Sequence, residues 1–144
     1  MRLKIALLCA LAIFWHTPLL NAAEVIRGPI LARIVKVIDG DSFHAEVLVW
    51  PQVKVGVNVR IHGMDAPEMR GKCAVEKAAA AEAKQALKKL LGGGLVYLER
   101  VSLAKYAGRV VSVVKTKAGV DVAAAMISGG HGRKYLGGKR KGWC

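Results

Sequence analysis

An α+β fold is predicted for this chain, a small barrel of five strands carrying one main helix and a short second helix. Three observations predict it. Residues 53–61 alternate, with Val53, Val55, Val57, Val59 and Ile61 on one side and Lys54, Gly56, Asn58 and Arg60 on the other, the period of a strand with one buried face. Residues 72–91 change to a helical period. The segments then follow the order strand, strand, strand, helix, strand, strand, helix.

Each element has a local reason. Ile30 to Ile38 reads as a strand, and Asp39-Gly40 is a tight-turn signal leading into a second strand from Asp41 to Trp50. Pro51-Gln52 turns the chain into the alternating third strand. The helix from Lys72 to Leu91 is expected to pack through Val75, Ala79, Ala83, Ala86 and Leu90, and Gly92-Gly93-Gly94 ends it. Strands at Leu95 to Val101 and Gly108 to Lys117 flank a loop with Lys105 and Tyr106. Asp121 is the expected N-cap of the short helix to Ser128, which Gly129-Gly130 stops. This is the order of an oligonucleotide-binding (OB) barrel. Trp50 and Tyr97 are read as packing residues.

The first 23 residues are read as a signal peptide. Arg2 and Lys4 precede an apolar run from Ile5 to Trp15, Pro18 breaks it, and Asn21-Ala22-Ala23 supplies small residues for cleavage. The run is short for a membrane span. One domain is therefore expected over residues 24–144, exported to the periplasm or secreted. Cleavage would change the net charge from +13 to +11, so the basic character belongs to the folded part. Such a charge favours polyanions, nucleic acid first and an anionic membrane surface second. Cys73 and Cys144 would be the cysteines left after cleavage, and in an exported protein such a pair reads as a disulfide rather than two free thiols. His44, His62 and His131 are scattered and form no ligand cluster.

Four of the ten acids crowd into two short loops, Asp39-Gly40-Asp41-Ser42 and Asp65-Ala66-Pro67-Glu68. Crowded carboxylates raise one another's pKa unless a positive charge lies between them. Ca²⁺, a hard cation that takes carboxylate and carbonyl oxygens, is the simplest partner. Asp41 and Asp65 are the candidate ligands together with a backbone carbonyl, while Asp39 and Glu68 stand close enough in sequence to act through water. Arg60 and Arg109 are candidate phosphate clamps, because guanidinium forks match phosphate oxygens. Taken singly, each acidic motif serves a turn as well as a metal. Their conjunction with Arg60, in this strand order, points to chemistry.

These residues resemble the staphylococcal nuclease (thermonuclease) family of Ca²⁺-dependent phosphodiesterases, from about Ala32 to Gly130. The matching pieces are Val37-Ile38-Asp39-Gly40-Asp41-Ser42, then Arg60-Ile61-His62-Gly63-Met64-Asp65-Ala66-Pro67-Glu68, then Lys105-Tyr106-Ala107-Gly108-Arg109. The resemblance implies that Asp41, Asp65 and the Ala66 carbonyl bind Ca²⁺, with Asp39 and Ser42 in its outer shell. It implies that Arg60 and Arg109 bind the phosphate, that Glu68 is the general base, and that Lys105, Tyr106 and Tyr135 contact the nucleotide. The chain departs from the family in having Ala104 before the Lys-Tyr pair, an extra Ala107, and a basic tail after Gly130 instead of a long final helix.

The resulting expectation is an exported, monomeric Ca²⁺-dependent nuclease acting on DNA and RNA, single-stranded or unstacked, with little sequence preference. The alternative is an OB barrel that binds nucleic acid without cutting it. The run Lys139-Arg140-Lys141 is either a polyanion grip or a solvated end. Tyr135 reads as a packing residue or as a stacking platform.

Overall fold

The computed structural model describes residues 24–105 and 108–144. The expected signal peptide and Tyr106 with Ala107 lie outside the described residues. The elements are β1 (Val25–Ile26), β2 (Ile30–Val37), β3 (Ser42–Trp50), β4 (Val53–Ile61), β5 (Gly63–Asp65), α1 (Ala74–Leu91), β6 (Leu95–Leu103), β7 (Arg109–Thr116), α2 (Val122–Ser128) and β8 (Arg133–Tyr135).

Five of these strands close on themselves. β2 pairs antiparallel with β3, β3 with β4, and β6 with both β2 and β7. The ring is completed by the parallel pair β4 and β7, with Asn58 opposite Arg109 and Arg60 opposite Val111. The predicted five-stranded barrel is thus the observed one, and closure removes most of the exposed strand edge. A register shift between Glu99 and Ser102, where Arg100 has φ of 51°, bends β6. Two pairings were not expected: β1 lies against β6, and β5 pairs with β8. The second of these ties the tail to the acidic loop.

The core follows from the inward face of each strand. Phe43, Val59, Ile61, Val96, Leu98 and Val114 fill the barrel, covered by Ala83, Leu87 and Leu91 of α1 and by Val122 and Met126 of α2. The stripe expected on α1 holds at Ala83, which is buried, and in part at Ala86 and Leu90, which pack half-buried against the core, but it is misplaced at the start of the helix. Glu76, Ala80, Ala83, Leu87 and Leu91 are buried, whereas Val75 is 72% exposed. In so alanine-rich a helix the apolar contrast is small, and burial of a carboxylate at Glu76 runs against any hydrophobic pattern. The expected ends hold, with Gly92 in the left-handed conformation at φ of 58° and Asp121 accepting the Ala124 N–H at 2.9 Å.

Trp50 is not a packing residue. It is 73% exposed, while Tyr97 is half-buried. The β3–β4 hairpin runs past the barrel: β2 reaches β3 only as far as Val47, and β7 meets β4 only from Asn58. The apolar face of β4 is therefore buried at Val59 and Ile61 but exposed at Val53 and Val55.

Two glycines set the acidic loops close to α1. A Cβ on Gly40 would stand 2.7 Å from the Ala83 Cβ and 2.8 Å from the Ala66 Cβ, and one on Gly71 would stand 2.4 Å from the Glu76 side chain. Only hydrogen fits at either point.

Candidate active site

Asp41 is placed by its backbone. Its carbonyl accepts the Ile61 N–H at 2.9 Å, and its own N–H bonds the Asp39 Oδ1 at 3.1 Å, so the turn after β2 is fastened to the end of β4. Ser42 Oγ donates to Asp41 Oδ1 at 2.7 Å, and the Ala66 N–H lies 3.3 Å from Asp41 Oδ2. Asp39, Asp41, Ser42 and Ala66 are therefore brought into one cluster. Asp65 joins it from the end of β5.

Arg60 links the two buried carboxylates. Its Nη2 is 2.9 Å from Asp41 Oδ2 and 3.4 Å from Asp65 Oδ1. The side chains of Asp41 and Asp65 are only 5% and 1% exposed, so leaving either unpaired would carry a large desolvation cost. Asp39 has a pKa above the ordinary carboxylate value, first because it is buried and second because the Asp41 charge is next to it. A further positive charge at this point is electrostatically welcome.

Glu68 stands at the rim, half exposed, on the loop between β5 and α1. That loop is held from beneath by Glu76, whose carboxylate accepts the N–H groups of Lys72 at 2.9 Å and Glu68 at 3.4 Å. Arg109 opens β7 on the same outward side as Arg60, because Asn58 and Arg60 are in register with Arg109 and Val111. Lys105 is exposed in the loop before β7, whose ends are joined by an Ala104 N–H bond to the Arg109 carbonyl at 2.9 Å. Tyr135, in register with Gly63, donates its hydroxyl to the Gly138 carbonyl at 2.7 Å. Neither Lys105 nor Tyr135 makes a hydrogen bond or ion pair to Asp41 or Asp65.

Sequence reasoning missed the contribution of the tail. Arg133, in register with Asp65 across β5 and β8, places Nη2 3.1 Å from Asp65 Oδ2 and lies over the Trp143 ring at 4.1 Å. Trp143 Nε1 donates to the same oxygen at 3.3 Å. Arg140 reaches Asp65 Oδ1 with Nε at 3.2 Å and pairs with Glu68 through Nη1. Burial alone would lower the Arg140 pKa, but the bond to Glu68 and the charges of Asp65, Glu68 and Asp41 raise it overall. Cys144 is bonded to Cys73, the N-cap of α1, which anchors the tail beside this cluster. Two signals of this stand in the sequence: the pair Cys73 and Cys144, which brings the end of the tail to the start of α1, and the run Lys139-Arg140-Lys141, whose charge suits a polyanion or carboxylate partner.

The cluster combines hard oxygen donors with guanidinium groups around one point, an arrangement suited to charge stabilisation at a phosphoryl group. Cys73, Glu76 and Cys144 also approach one another, but with both sulfurs in the disulfide they offer no thiolate for a metal. No curated protein matches the chain. A family model described as Staphylococcal nuclease homologue matches residues 58–141, a span that runs from the end of β4 through Arg60, Asp65 and Glu68 to the tail arginines. With more than half of its length matched, and with the barrel closed in the expected order, the chain belongs to the staphylococcal nuclease homologue family.

Proposed function

We propose that this protein is an exported, Ca²⁺-dependent phosphodiesterase that hydrolyses DNA and RNA with little sequence preference. Membership of the nuclease homologue family supports a nuclease-type function on nucleic acid. The observation that carries the finer reading is the convergence of two buried carboxylates on one arginine, with Glu68 at the rim. Export is supported by the apolar segment after Arg2 and Lys4 and by the disulfide.

The donor chemistry fits a hard cation, since the cluster offers carboxylate and backbone oxygens. Asp41, Asp65 and the Ala66 carbonyl are the groups that would hold Ca²⁺, with Asp39 and Ser42 orienting Asp41 from behind. A bound Ca²⁺ supplies Lewis-acid charge for the phosphoryl oxygens. Arg60 and Arg109 bind the phosphate and meet the charge that grows on it. Glu68, half exposed on its loop, accepts a proton from the attacking water. Lys105, Tyr106 and Tyr135 contact the nucleotide beyond the reacting phosphate.

The test incubates purified protein with single-stranded and supercoiled DNA in Ca²⁺, in Mg²⁺ and in chelator. Cleavage that needs Ca²⁺ is expected, with Glu68→Gln lowering the rate roughly 10²-fold or more and Asp41→Ala abolishing it. Undiminished cleavage in chelator, or in both variants, overturns the assignment. One observation favours a second reading, a barrel that binds without cutting: both oxygens of Asp65 already have two donors each, Arg60 with Arg140 and Arg133 with Trp143. Salt-sensitive DNA binding with no cleavage under any metal would establish that reading instead.

A further inference from the structure

Beside the acidic pair a cleft of about 310 Å³ opens between the loop at residues 65–72 and the tail. Its acids are already engaged. Asp65 meets Arg60, Arg133 and Arg140, Glu68 meets Arg140, and Glu76 is occupied by the backbone N–H groups of Lys72 and Glu68. Its other cations are not. Arg70 and Lys72 on the loop wall and Lys141 on the tail wall have exposed side chains, and among the described residues no carboxylate pairs with any of them. With Asp65 and Glu68 paired to guanidinium groups and Glu76 turned onto backbone amides, the side-chain charges left without an ionic partner on the open walls of the cleft are positive, and such a surface favours an anion.

The cleft is also continuous with the candidate site, because Asp65 and Glu68 line both. Its two walls are joined at one end by the disulfide, with Cys73 next to Lys72, Cys144 three residues beyond Lys141, and their Cα atoms 6.0 Å apart. The spacing between the loop cations and the tail cation is thereby fixed before any ligand arrives, which lowers the ordering cost of binding.

We propose that this cleft is a second phosphate subsite, holding the phosphodiester next to the one at Arg60 through Arg70, Lys72 and Lys141. The occupant is a polynucleotide backbone, because one strand then satisfies both the cleft and the adjoining guanidinium cluster. The proposal rests on the nuclease reading and extends it from one phosphate to two. It also makes the tail a wall of the substrate groove, in place of a solvated end.

The experiment measures binding in chelator, so that no cleavage intervenes. Fluorescence anisotropy compares a labelled thymidine ligand with one phosphate and a labelled oligothymidylate with three, over a range of salt. The doubly substituted Arg70→Ala, Lys72→Ala protein is expected to bind the longer ligand roughly tenfold more weakly. Its log K against log salt slope falls by about 0.7 for each phosphate that the protein no longer neutralises, and binding of the one-phosphate ligand is unchanged. Lys141→Ala, an exposed substitution that keeps the fold, is expected to act in the same direction. Unchanged affinity and slope for the longer ligand in both proteins overturns the subsite. Arg60→Ala separates the two readings: it should weaken both ligands, and if it weakens them while the cleft variants do nothing, the second subsite fails and the first stands. If Arg60→Ala leaves both ligands untouched, the site assignment itself fails.

Discussion

Gly40 shows how closely the site depends on single atoms. It separates Asp39 from Asp41 and presses against both Ala83 of α1 and Ala66 of the second acidic loop. Gly40→Ala is therefore expected to cost about 1–3 kcal/mol through overpacking, and to move Asp41 and Ala66 apart in the same step. Urea unfolding measures the first effect and oligonucleotide affinity the second; a wild-type midpoint would mean the loop yields without strain. In the sequence Gly40 is half of a turn signal, which is correct but incomplete. Its contact with a helix 43 residues further on belongs to tertiary packing and leaves no local trace. The grouping of Asp41 and Asp65 with Arg60 was legible because four of the ten acids crowd into two short loops, and crowded carboxylates need a positive charge between them. Arg133 and Trp143 were not legible, since they reach Asp65 from 68 and 78 residues away across a short pairing without a hydrophobic period.

Among the elements, α1 acts as a strut for the rim of the site. Its first turn presents Glu76 to the loop that carries Glu68, and the stripe behind it docks on the barrel. Glu76→Ala leaves the Lys72 and Glu68 amides without their acceptor, a loss of about 1–3 kcal/mol. Faster hydrogen exchange confined to residues 68–72 is the expected signature; protection equal to wild type would show that water replaces the carboxylate at no cost. The strands were readable from alternation and turn residues because each is half buried. The face presented by the first turns of α1 was not, because alanine at most positions gives a pattern little weight and the decisive buried residue, Glu76, is charged. β5 and β8, three residues each, are too short for any period to be counted.

At the scale of the molecule, the barrel supplies the platform and the disulfide holds the tail on it. The bridge spans 71 residues of sequence, for which loop-closure entropy gives about 4 kcal/mol of stabilisation. The protein with Cys73→Ser and Cys144→Ser is expected to lose about that much in denaturant unfolding, and to release residues 139–144 to protease before the barrel opens. Equal stability and an equally protected tail would show that the ion pairs at Asp65 suffice alone. The β3–β4 ribbon has a different consequence. Beyond the barrel, among the described residues, its strands pair only with each other, its two edges are open, and Leu48, Val49, Trp50, Val53 and Val55 are exposed. Open apolar edges invite pairing between copies, and a net charge of +13 opposes it by mutual repulsion. Colloidal stability in this protein is thus tied to ionic strength: salt, or a polyanion that gathers several copies along its length, screens the repulsion and lets the ribbons meet.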